Sequence, residues 1–165
     1  MDCREEMVCC FTGHRNIGDA HAKKMPELLD RVLESLIQNG YTTFRTGGAI
    51  GFDTIVALKV LEKREQYPTI RLELYLPCRD QTKGWNSVNR NAYQYVLSHA
   101  DEVYYTRDTY EAGCMLERNR SMVQGSRCCV GYCLSEQGGS AYTLRYAKKH
   151  GLRVLNLAPI LNRNS

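Results

Sequence analysis

Apolar positions along the chain fall into two alternating rhythms. Strand signals stand at 7–11, 41–45, 70–76, 102–105, 127–133 and 154–157, the first of them a short apolar run. Between them, apolar residues recur at helical spacing. Met25, Leu29, Val32 and Leu36 stand three or four apart within 19–38, and Asn39-Gly40 ends that helix. Further helices are predicted at 53–64, 86–98, 110–124 and 140–149, the last two closed by Gly125 and Gly151. Strict alternation predicts an α/β, Rossmann-like three-layer fold with a mostly parallel sheet and helices on both faces. One domain over residues 1–165 is expected, because no linker or low-complexity stretch interrupts the pattern.

In a parallel sheet every segment that follows a strand lies on one edge, where ligands bind. Three such segments are rich in glycine: Thr12-Gly13-His14-Arg15, Thr46-Gly47-Gly48-Ala49-Ile50-Gly51 and Gly138-Gly139-Ser140. Two others carry Arg79-Asp80 and Arg107-Asp108. Glycine lets backbone N–H groups approach a ligand, and the helix that follows presents a positive N-terminus. With Arg15, Arg79 and Arg107 nearby, the loops form a candidate phosphate cradle. Gly13 to Gly18 has P-loop glycine spacing, but Asp19-Ala20 replaces the Lys-Ser/Thr that grips phosphate and Mg²⁺. Thr46 stands where the dinucleotide fingerprint needs its first glycine.

In the helix at 110–124, Ala112, Met115, Leu116, Met122 and Val123 share an apolar face. Asn119 falls near its centre, Arg118 and Arg120 fall on its borders, and Glu117 points away. A polar residue inside a buried face needs a hydrogen-bond partner, so Asn119 either ties down a loop or, with an arginine, reaches the ligand edge. His14 can serve as an acid–base group, a phosphate donor or a turn residue. Trp85 can stack on a base or pack.

Composition narrows the classes. The chain is 43% hydrophobic and 24% charged, with net charge +4. That suits an anionic ligand and disfavours nucleic acid without excluding it. No apolar run is long enough to span a membrane, and MDCREEMVCCF is not a secretory leader, so a cytoplasmic location is expected. Eight cysteines form no CxxC pair; buried thiols, a metal site or redox sensing remain open, and no metal is assigned.

Taken together, TGHR at 12–15, GGAIGFD at 47–53, Gln81 with Trp85, ERNR at 117–120 and GGSAYTLRYAKK at 138–149 resemble the YpsA-like family of the SLOG superfamily. Its relatives are the DprA/SMF proteins and the lonely-guy phosphoribohydrolases. The resemblance implies a nucleotide-type ligand at the strand ends. It places Arg118 where the lonely-guy enzymes carry a catalytic arginine, and Gly138, Gly139 and Thr143 on their second phosphate loop. Their catalytic glutamate has no counterpart in Thr143-Leu144-Arg145-Tyr146. The ligand set so implied is Thr12, Gly13, His14, Arg15, Gly47, Gly48, Ala49, Gly51, Asp53, Arg79, Arg118, Asn119, Gly138, Gly139, Ser140 and Thr143. The expected function is binding or sensing of a nucleotide or nucleotide-derived phosphate ligand, with no further cofactor assigned. One alternative is hydrolysis of an N-glycosidic or phosphate-linked bond, with Asp53 or Glu117 as acid–base group. A second is DprA-like DNA binding. A homo-oligomer is allowed.

Overall fold

The computed structural model describes residues 6–163; the leader-free reading of the first five residues and the two ends of the expected domain lie outside them. The elements alternate throughout. They are β1 (Val8–Gly13), α1 (Asp19–Gln38), β2 (Thr43–Thr46), α2 (Phe52–Gln66), β3 (Arg71–Leu76), α3 (Ser87–His99), β4 (Glu102–Tyr105), α4 (Cys114–Val123), β5 (Cys128–Tyr132), α5 (Gly139–Lys149), β6 (Arg153–Asn156) and α6 (Ala158–Arg163). The six strands form one sheet in the order β4-β3-β2-β1-β5-β6, and every neighbouring pair is parallel. α1, α2, α3 and α6 pack side by side on one face, and α4 pairs with α5 on the other. This is the expected Rossmann-like three-layer arrangement.

The interior strands are apolar because both faces are covered. Cys9 and Phe11 of β1 join Phe44, Leu72, Leu74 and Tyr132 beneath α1–α3, while Cys10 and Cys129 cluster with Met122 of α4 and Ala147 of α5 on the other face. Each fully buried Leu or Phe stabilises the fold by about 1.5–3 kcal/mol. Small residues let α5 sit close, since a Cβ on Gly131 would stand 2.7 Å from Leu144 Cδ2. The strand register sets Cys9 beside Cys128 and Cys10 beside Cys129. All four thiols are buried and free, and burial pushes the Cys9 thiol well above its ordinary pKa. Among the described residues, no group of His, Cys, Asp and Glu is placed to hold a metal ion, and no helix is long and apolar enough to cross a membrane.

Most boundaries shift by a residue or two, and three differences have a physical reason. β1 runs on through Thr12 and Gly13, because these pair with Gly131 and Tyr132 of β5. α4 starts at Cys114 rather than at 110, because Gly113 turns the chain at φ 83°, a left-handed conformation that a helix does not contain. α6 has only six residues, too few to show a helical period.

Candidate functional site

From β1 the chain moves through β2 and β3 to β4, then crosses back to add β5 and β6 on the other side of β1. A crevice therefore opens between the C-terminal ends of β1 and β5, the topological switch point where open α/β sheets bind ligands. A cavity of about 350 Å³ lies there, lined by Thr12 to Arg15, Ala49, Asp53, Met115, Leu116, Arg118, Asn119 and Gln137 to Ser140. The long β4–β5 crossover brings α4 against β3 and β1, which carries Arg118 and Asn119 to the same edge.

Two glycine loops interlock beneath this cavity. Phe52 N–H donates to the His14 carbonyl at 3.2 Å. Gly51 has φ 85°, and a Cβ there would stand 2.1 Å from the Arg15 carbonyl oxygen, so only glycine fits. Gly13 packs against the Phe52 ring, which a Cβ would meet at 2.4 Å. The loop after β5 is latched to the first loop. His14 N–H donates to the Tyr132 carbonyl at 3.2 Å, and Leu134 N–H donates to His14 Nε2 at 2.8 Å. That second bond makes Nε2 the acceptor, so a neutral His14 carries its proton on Nδ1. His14 thus lines the cavity and also acts as a turn residue.

The floor holds a buried cation and a buried carboxylate. Arg118 is 5% exposed. Its Nη1 donates to the Gly47 carbonyl and, at 3.1 Å, to the Tyr75 carbonyl, while Nε donates to Asn119 Oδ1 at 2.7 Å. The border position is therefore a buried one: Arg118 is a core group that ties the loop after β2 to β3. Burial lowers its pKa, opposed by the attraction of Asp53. Asp53, in the first turn of α2, is also 5% exposed. Its Oδ2 accepts from Ala49 N–H at 3.2 Å, while Oδ1 is sealed from solvent with no hydrogen-bond partner among the described residues. Burial pushes the Asp53 carboxyl up to about 6, against the pull of Arg118, the Ala49 N–H and Arg15.

The opposite wall is the N-terminus of α5. Its N-cap is Gly138 at φ 97°, with no side chain capping the first turn. Gly138, Gly139 and Ser140 line the cavity there. First-turn N–H groups have no partner within a helix and carry its positive dipole end. Thr143 lies behind this turn, its hydroxyl donating to the Gly139 carbonyl at 2.7 Å.

The remaining sequence candidates stand elsewhere. Gly47, Gly48 and Gly51 shape the loop without lining the cavity. Gly48 adopts φ 71°, and its carbonyl accepts from Gln81 Nε2 at 2.7 Å. Arg79 does not join the cradle. It pairs with Asp108 at 3.2 Å and lies 4.1 Å above the Tyr105 ring, in a separate polar cleft at the β3 and β4 ends. Arg107 is held by Glu117 at 3.1 Å and Glu111 at 3.4 Å. Of the two acid–base candidates, only Asp53 lines the cavity. Trp85 packs edge-on against Tyr93 at 5.5 Å. Sequence reasoning missed Met115, Leu116 and Gln137. The first two were assigned to a core face, and the third carried no signal beyond its place before Gly138.

Residues 9–156 match the model of the YspA SLOG family. The chain belongs to that family. It is 29% identical over 126 residues to a UPF0398 protein of Bacillus thuringiensis (strain Al Hakam), covering 74% of this chain and 68% of that one. Among solved structures, DNA processing protein A from Helicobacter pylori, which binds single-stranded DNA, superposes with TM-score 0.66 at 19% identity over 91% of this chain. DNA processing protein A from Streptococcus pneumoniae superposes with TM-score 0.65 at 15% identity over 90%. The chain spans 64% and 49% of those two proteins, so the likeness is one of fold.

Proposed function

We propose that this member of the YspA SLOG family binds a nucleotide or nucleotide-derived phosphate ligand in the cavity between the β1 and β5 ends. One observation carries the reading: an uncapped helix N-terminus faces Arg15 and the buried Arg118 across a single cavity. Unsatisfied N–H groups at a helix start and fixed guanidinium groups are what phosphate oxygens need. The volume, about 350 Å³, lies at the lower end of the ~300–1,000 Å³ of small-molecule sites. Met115 and Leu116 add an apolar wall suited to a sugar or base. A small ligand is favoured over a DNA strand because Arg79 and Arg107, on the same edge, are already neutralised by Asp108, Glu111 and Glu117. Strand binding relies on uncompensated basic grooves with stacking platforms.

Arg15 gives the cleanest test, because it is exposed and, among the described residues, its side chain hydrogen-bonds only to Met115 Sδ, at 3.7 Å. Calorimetric titration with AMP, ADP, ribose 5-phosphate and orthophosphate should show binding by at least one of them. Arg15→Ala should weaken it by about 1.5–3 kcal/mol, the scale of a charged hydrogen bond, at unchanged Tm. Absence of binding by all four, or full affinity in the variant, overturns the reading.

A second reading, hydrolysis of a bond in the same ligand, is favoured by Asp53. A carboxyl with pKa about 6 at a cavity can exchange protons near neutral pH. Chromatography of wild-type protein incubated with nucleoside monophosphates checks it. Release of free base or phosphate, lost in Asp53→Asn, supports turnover, and intact ligand leaves binding as the function.

A further inference from the structure

We propose that the outward side of α5 binds a single strand of nucleic acid, its bases stacking on Tyr146 and His150 and its phosphates meeting Arg145, Lys148 and Lys149. This surface is separate from the cavity and independent of the ligand assigned there. The net charge of +4 conceals a division of sign. Residues 1–117 carry 14 basic and 17 acidic side chains, whereas residues 118–165 carry eight basic ones and a single acid, Glu136. A block of one sign makes a surface for a polyanion. In the first part of the chain Lys59, Lys63, Arg64, Arg71, Arg79 and Arg107 are each paired with an acid. Arg145, Lys148 and Lys149 are exposed and, among the described residues, form no ion pair. Arg145 gives one N–H to the Glu136 carbonyl, a neutral acceptor, at 2.7 Å.

Charge alone would suit any polyanion, and a row of rings narrows the class. Tyr142, Tyr146 and His150 recur every four residues and so follow one side of α5. Tyr142 and Tyr146 stack with centroids 6.1 Å apart, and Tyr146 meets His150 at 4.2 Å. Arg145 and Lys149 stand three residues after Tyr142 and Tyr146, on the same side. At the far end of α5 from the cavity, Tyr146 and His150 open into a cleft of about 260 Å³ with Val123, Gly125, Ser126 and Leu152. That lies below the ~300–1,000 Å³ of whole-ligand sites, so the cleft suits a single ring. The C-caps of α4 and α5, Gln124 and His150, both line it. Helix C-termini carry partial negative charge, which repels phosphate and favours the N–H groups of a base. Bases therefore belong in the cleft and phosphates on the cations beside it. Rings beside uncompensated cations are how single strands are held without regard to sequence. A duplex hides its bases and can use only the cations.

Fluorescence anisotropy of the full chain with labelled oligothymidylate, oligouridylate and a DNA duplex of equal length tests this, with salt varied from about 50 to 200 mM. The two single strands should bind within about threefold of each other, since rings and phosphates are common to both, and the duplex about fivefold or more weaker. Three phosphate contacts give a slope of log affinity against log salt of about −2, and the double variant Lys148→Ala, Lys149→Ala should reduce it to about −0.7. Tyr146→Leu should weaken strand binding about fivefold or more at an unchanged slope. His150→Ala, at an exposed ring, should weaken it about threefold or more and carries the test if Tyr146→Leu does not fold. Duplex bound as well as single strand, or wild-type affinity in both ring variants, reduces the surface to non-specific charge and overturns the inference. So does absence of strand binding at the lowest salt. Binding of phosphatidylglycerol vesicles in place of the oligonucleotides gives the surface to a membrane and overturns it as well.

Discussion

Asp53→Asn also has a consequence that needs no ligand. In the folded protein the carboxyl is desolvated, keeps a single backbone donor at Oδ2, and has a pKa raised from 3.8 to about 6. The folded state therefore holds this proton more tightly than the unfolded chain does. The resulting stabilisation is fully present below the unfolded value and is lost as pH rises through 6. Above that, both states are ionised and the folded one carries the whole desolvation cost. At about 1.4 kcal/mol per tenfold change in proton affinity, that cost is about 3 kcal/mol. Asn keeps the acceptor for Ala49 N–H and removes the charge. The ligand-free variant should therefore be more stable than wild type by up to about 3 kcal/mol at pH 8, and the gap should shrink by roughly 1–2 kcal/mol at pH 5. Urea unfolding followed by circular dichroism across that range measures both numbers. A variant less stable than wild type at pH 8 would sink the account of the floor, as would a gap that does not move with pH.

Arg118→Ala leaves the Gly47 and Tyr75 carbonyls and Asn119 Oδ1 without their donor; a loss of about 3–5 kcal/mol in urea unfolding is expected, and an unchanged midpoint would show that Arg118 is not a structural bridge. Arg79→Ala removes an exposed pair with Asp108 outside the cavity. It should change stability by less than about 1 kcal/mol and leave AMP affinity unaltered, and a marked loss of affinity would return Arg79 to the site.

The layer arrangement was legible because parallel strands buried on both faces must be nearly solid apolar runs. The segment 127–133 was read to within a residue of β5 at either end on that basis, and β5 is buried throughout. What periodicity could not supply was the strand order. With β1 beside β5, the loops at 12–15 and 137–140 share one crevice, while Arg79 and Arg107 leave from β3 and β4 on the far side of the sheet. Five loops lie on one edge by the logic of the fold, but only two of them flank the switch point. The apparent cluster of three arginines therefore splits into Arg15 at the cavity and two arginines tied to acids elsewhere. Gly113 shows the same limit at local scale: its neighbours Glu111 and Ala112 suit a helix, and only the backbone sign at 113 delays α4.

Arg118 shows why a helical wheel can order residues around an axis and still misplace one. The wheel put Arg118 on a border, and a border residue on a helix that met only solvent beyond its apolar stripe would be exposed. α4 instead arrives by the long crossover from β4 and lies across the sheet edge, against β3 and β1. Its border faces the carbonyls of Tyr75 at the end of β3 and Gly47 just past β2. Those groups have run out of strand partners, and buried carbonyls need a donor. A long side chain with five N–H donors on the border of such a helix can reach both while its remaining face opens to the cavity. The same arginine that closes the strand ends is thereby fixed in position before any ligand arrives, and a cation held by backbone needs little reordering to meet a phosphate. Asn119 belongs to the same device, since its Oδ1 holds the Arg118 Nε. The two polar residues of the apolar face are therefore one unit, structural on the sheet side and lining the cavity on the other.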